Sequence, residues 1–96
     1  MRMILQAKVD AANGTEILKS GRLQKTIQAF SEKFKPEATY FVLSEGMRSS
    51  LFVFDLASLA QMPEVTELFF QLGCEVTLGP CMTPQDLQAG LAASGL

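Results

Sequence analysis

The chain has 96 residues, 48% of them hydrophobic, with 7 Gly and 4 Pro. That composition excludes a disordered or collagen-like chain and leaves room for one packed domain, residues 1–96. Eight basic residues stand against ten acidic ones, net −2, with a pI near 5.0, which argues against non-specific binding to nucleic acid or to anionic membranes.

There is no His and no Trp, so no His-based triad, acid–base pair or metal site can be built. Cys74 and Cys81 cannot close a metal site without His, and their spacing is not C-x-x-C. They are expected to be unbonded. Neither a metal nor a cofactor is expected. The Met1–Lys8 segment meets a charge after a few apolar residues and does not read as a signal peptide. No apolar run approaches the ~18 residues of a membrane span. A cytoplasmic protein with reduced thiols, free of membrane and nucleic acid, is expected.

Residues 2–9 read as a strand with Met3, Leu5, Ala7 and Val9 on one face and Ile4, Gln6 and Lys8 on the other. Asn13-Gly14 reads as a turn. A short helical stretch, 15–20, then ends near Gly21. Leu23, Ile27, Phe30 and Phe34 form the stripe of a second helix that stops before Pro36. Residues 38–44 and 48–54 read as a hairpin around a three-residue loop, Glu45-Gly46-Met47. Pro63 opens a helix with Val65, Leu68, Phe69 and Leu72 as its stripe and Gly73 as its C-cap. Residues 74–78 read as a fourth strand. Thr83-Pro84-Gln85-Asp86 is a capping-box-like start to a terminal helix anchored by Leu87 and Leu91. The order β-α-β-β-α-β specifies an α+β, ferredoxin-like fold: a four-stranded antiparallel sheet, helices on one face, plus a short C-terminal helix.

With a three-residue loop, 43 pairs with 49, 41 with 51 and 39 with 53. Met3, Leu5, Ala7, Val9, Thr39, Phe41, Leu43, Leu51, Val53, Cys74, Val76 and Leu78 then share the helix-covered face. Ile4, Gln6, Lys8, Tyr40, Val42, Ser44, Arg48, Ser50, Phe52, Phe54, Glu75 and Thr77 share the other. Tyr40, Phe52 and Phe54 alone would leave on the order of 500 Å² of that face open, as much as the largest apolar patch on a typical monomer. A homodimer through this face is expected, with Ile4, Val42, Phe52 and Phe54 as its interface. Gln6, Tyr40, Arg48, Ser50, Glu75 and Thr77 are the candidate ligand-binding groups, with Arg48 forking onto a carboxylate. The competing reading of the same groups is an intersubunit network, Arg48 with Glu75.

The element order, the length, Leu51-Phe52-Val53-Phe54-Asp55 and Cys74-Glu75-Val76-Thr77-Leu78-Gly79-Pro80 resemble dimeric α+β-barrel proteins, muconolactone-isomerase-like in size and architecture. Lys35-Pro36-Glu37-Ala38-Thr39-Tyr40-Phe41 and Met82-Thr83-Pro84-Gln85-Asp86-Leu87 are similar to uncharacterised bacterial proteins of that superfamily. The resemblance implies two sheets packed face to face and a small molecule held between helices and sheet or inside the barrel. It implies a binding or assembly module. Alternatively, it implies a small isomerase, lyase or monooxygenase with Tyr40 or Glu75 as acid or base and Arg48 as anion clamp.

Arg48-Ser49-Ser50-Leu51-Phe52-Val53-Phe54 also echoes an RNA-recognition run. The small residues of that motif are missing and Asp55 stands where an aromatic belongs, so interface aromatics are the preferred reading. Cys81 before a helix start can be a nucleophile, but a small half-buried hydrophobe is the commoner role. Asp55 at a strand end more often caps a turn than acts in catalysis.

Overall fold

The computed structural model describes all 96 residues. The elements are β1 (Arg2–Val9), α1 (Ala11–Lys19), α2 (Arg22–Phe34), β2 (Ala38–Ser44), β3 (Met47–Asp55), a 3₁₀ turn (Leu59–Gln61), α3 (Met62–Phe70), β4 (Glu75–Pro80) and α4 (Pro84–Ala93). The four strands form one antiparallel sheet in the order β2-β3-β1-β4. This α+β arrangement is compatible with the ferredoxin-like fold expected from the element order.

Three local details differ from expectation. The first helix starts earlier, because Asp10 caps it: its carboxylate accepts from the Asn13 N–H at 3.0 Å. Asn13-Gly14 therefore lies in the first turn of a helix rather than in a loop. The Asn13 amide is spent on the end of α3, donating to Leu72 O at 2.7 Å. The last strand runs two residues further than expected, to Pro80.

The third difference has the largest consequence. The β2–β3 loop has two residues, not three: Ser44 pairs with Met47, and Glu45 and Gly46 both take positive φ, 54° and 75°. Positive φ at both central residues is the hairpin turn whose twist matches that of the flanking strands. The side-chain period of a strand is 2, so shifting β3 by one residue exchanges its faces. Arg48, Ser50, Phe52 and Phe54 pair with Val9, Ala7, Leu5 and Met3 and lie under the helices. Leu51 and Val53, expected in the core, turn to the open face. A non-glycine residue in the left-handed region costs roughly 1–2 kcal/mol, less for Asn. Glu45→Asn should therefore raise the unfolding free energy by up to about 1 kcal/mol in urea denaturation. A fall instead would mean that the Lys8–Glu45 ion pair, at 3.5 Å with Glu45 largely exposed, outweighs the turn.

The core is a cluster of Phe side chains between sheet and helices. Phe30 packs against Phe34, Phe52, Phe54 and Phe69 with ring centroids 4.7–5.8 Å apart. Leu5, Ile17, Val65 and Leu56 close it. Phe52 and Phe54 are 0% and 1% exposed within one chain, so the expectation that they form a dimer interface is corrected. Edge strand β2 lies beyond the helices and is exposed along most of its length.

Candidate functional site

Because α1 and α2 meet at Gly21, where φ is 79°, and neither reaches over β2, a cleft remains between these helices and the sheet. Its volume is about 430 Å³, within the ~300–1,000 Å³ of ligand sites. The α2 side is Leu23, Gln24 and Ile27. The β2 side is Phe41 and Leu43, and Ala7, Val9, Ser50 and Cys74 also line it. Phe41 and Leu43 are 64% and 84% exposed, so the cleft is open along the β2 edge.

Arg48 is the one charged residue of this lining. Its Nη1 donates to Ala11 O at 3.2 Å and to Thr15 Oγ1 at 3.3 Å. These neutral acceptors fix the guanidinium at the start of α1 without neutralising it. None of the ion pairs in the molecule includes Arg48. Gly14 makes room for it, since a Cβ there would stand 2.9 Å from Arg48 Nη1 and 3.1 Å from Val9 Cγ1.

The other ionisable group in the cleft is Cys74. It is buried and unbonded, and desolvation pushes its thiol above the ordinary value. Guanidinium groups stay protonated in proteins. Neither group is suited to general acid or base work near neutral pH, whereas an apolar wall with one fixed cation is suited to holding an apolar anion.

The six candidate ligand-binding residues divide between the two faces. Arg48 and Ser50 lie in the cleft. Gln6 pairs with Leu51 and Thr77, and Tyr40 with Leu51, placing Tyr40, Gln6 and Thr77 in one row across the open face. Gln6 Nε2 donates to Ser49 Oγ there at 2.9 Å. Glu75 is opposite Lys8 on the same face. Arg48 and Glu75 are therefore on opposite sides of the sheet and do not pair, and an acid or base at Tyr40 or Glu75 does not share a site with Arg48. Ile4 and Val42 are on the open face as expected, 38% and 39% exposed. Both thiols are free.

Leu23, Ile27 and Cys74 pack in or against the core as expected and also line the cleft, whereas Phe41 and Leu43, expected under the helices, are exposed at its mouth. Their apolar character is the same in either role, and the uncovered β2 edge follows from where the helices end.

The chain matches no protein-family model, no curated protein and no solved structure. No helix is long and apolar enough to cross a membrane.

Proposed function

We propose that this protein is a homodimeric small-molecule-binding module of the α+β-barrel type, two copies joined through their open sheet faces and each cleft taking a small apolar anion. The observation that carries the binding role is Arg48, a cation with no carboxylate partner, fixed in a cleft whose lining is mostly apolar and holds no other charge. Ser50, also in the lining, supplies a hydroxyl. An aromatic or aliphatic carboxylate or sulfonate meets both requirements: a tail to displace water from Ile27 and Phe41, and a head for the guanidinium. The open face supports the dimer, since Ile4, Tyr40, Val42, Leu51 and Val53 have no helix above them. The setting that goes with this reading is the cytoplasm.

The test uses anilinonaphthalene sulfonate, an aromatic anion whose fluorescence rises on transfer from water. Saturable binding at one site per chain is expected. Arg48→Gln should weaken it about 10- to 100-fold, the worth of a charge-assisted hydrogen bond of about 1.5–3 kcal/mol. The uncharged analogue phenylnaphthylamine should bind both proteins alike. Equal loss of both probes would mean that Arg48 supports the fold rather than the ligand. No saturable binding by wild type would end the cleft proposal.

A further inference from the structure

We propose that α4 of one copy seats on the exposed β2 edge of a second copy, with Leu87 and Leu91 against Phe41 and Leu43, and so closes the partner's cleft. The proposal rests on the dimer reading above and adds to it a site that one chain leaves incomplete.

The helix is well made locally. Thr83 and Asp86 form a reciprocal capping box, Asp86 N–H donating to Thr83 Oγ1 at 3.1 Å and Thr83 N–H to the Asp86 carboxylate at 2.9 Å. Those bonds hold the Asp86 carboxyl below its ordinary value. Yet every residue from Pro84 to Leu96 is exposed, and α4 buries none of its ten residues. An isolated helix shorter than about 12–15 residues is marginal in water, and most helices are stabilised by packing an apolar face. Asp86 is the only charged residue in that stretch, so the helix is not of the solvated, ion-paired kind. Leu87, Gly90 and Leu91 share one face. Nothing stands within 4 Å of a Cβ position on Gly90, which allows another surface to approach closely.

Its own chain does not offer that surface. The cleft opens at β2, and α4 follows β4 on the opposite edge of the sheet, three strand spacings or about 14 Å away. The connection Cys81–Thr83 spans at most about 10 Å, and it is tied back to β1 by the Cys81 N–H to Arg2 O bond of 3.1 Å. The helix projects outward instead. The radius of gyration is 15.2 Å, against about 12.5 Å for a compact chain of this length.

A second copy does offer it. When two open faces meet about a two-fold axis along the strands, β4 of one copy lies opposite β2 of the other. Each α4 then starts beside the partner's bare edge, and the exchange is reciprocal, so no half-site is left over. A helix of about 15 Å burying one side against a partner, counted on both surfaces and twice over, removes about 1,200 Å², the lower end of specific interfaces before any sheet-face area is added. The partner's leucines would also exclude water from the cleft, strengthening the attraction between Arg48 and an anion.

Disulfide trapping tests this. Leu43→Cys and Leu91→Cys are combined in a Cys74→Ala, Cys81→Ser background, because Cys74 lines the same cleft, and both introduced sites are exposed enough, 84% and 42%, to accept Cys without unfolding the chain. Mild oxidation should convert most of the chain to a covalent dimer on a non-reducing gel, while neither single-cysteine variant does so. If sedimentation shows a dimer that does not cross-link, α4 sits elsewhere and the inference is overturned while the dimer stands. An oxidised monomer would place α4 on its own chain and likewise overturn it. A monomeric wild type would remove the dimer reading and this inference together.

Discussion

Phe52→Ala should lower the unfolding free energy by about 3–5 kcal/mol, the range for truncating a buried aromatic. Phe52 is fully buried between Phe30 and Phe69, at centroid distances of 4.7 and 5.7 Å. Its removal leaves a cavity at the centre of the ring cluster, where neighbours held by Phe34 and Phe54 have little room to collapse inward. A domain of this size has about 5–15 kcal/mol in total, so the variant should sit at the edge of folding. Urea denaturation monitored by circular dichroism gives the loss. Sedimentation of whatever folded variant remains separates core from interface: a core role leaves the dissociation constant of the folded form unchanged. A well-folded variant that has lost less than about 1 kcal/mol, well outside the core range, would mean that β3 has the other register and Phe52 faces outward.

That register is the feature of the fold that the local sequence pattern does not determine. The strands, the α2 and α3 stripes and the Thr83 cap are local patterns, and each is legible in a few residues. The faces of β3 depend on a single fact, whether Glu45-Gly46 or Glu45-Gly46-Met47 makes the turn. Gly46 suits both loops. The left-handed Glu45 that decides for the shorter one has no sequence signature, since Glu is not an Asn or Gly. The apolar pattern of β3 does not arbitrate either, because Leu51 and Val53 on one face and Phe52 and Phe54 on the other are equally able to enter a core. One more residue in the loop would place Phe52 and Phe54 on the open face and take Arg48 out of the cleft. The cleft itself was legible only in its parts. Its existence depends on how far α1 and α2 extend over β2, a tertiary quantity that no window of sequence encodes.

The corrected register leaves the case for a covered open face in place but changes which residues carry it. Val53 pairs with Ile4 on one side and Ala38 on the other, and Leu51 lies one row on, between Tyr40 and Gln6. Tyr40 is 65% exposed. With net charge of only −2, little self-repulsion opposes association of such a face. Wild type should therefore sediment as a dimer at micromolar concentration, and Val53→Asp should dissociate it. The two-fold axis presents the substitution twice. At about 2 kcal/mol or more for each carboxylate desolvated without a partner, the dimer should weaken by about a thousandfold. The monomer should survive, because in one chain the new carboxylate faces water and the cost is limited to the poor strand propensity of Asp, at most about 1 kcal/mol. An unchanged circular dichroism spectrum beside a halved sedimenting mass is the expected pair of results. A monomeric wild type, or a Val53→Asp protein that stays dimeric with unchanged affinity, would place the interface away from this face, and the exposed β2 edge would then be the next surface to substitute.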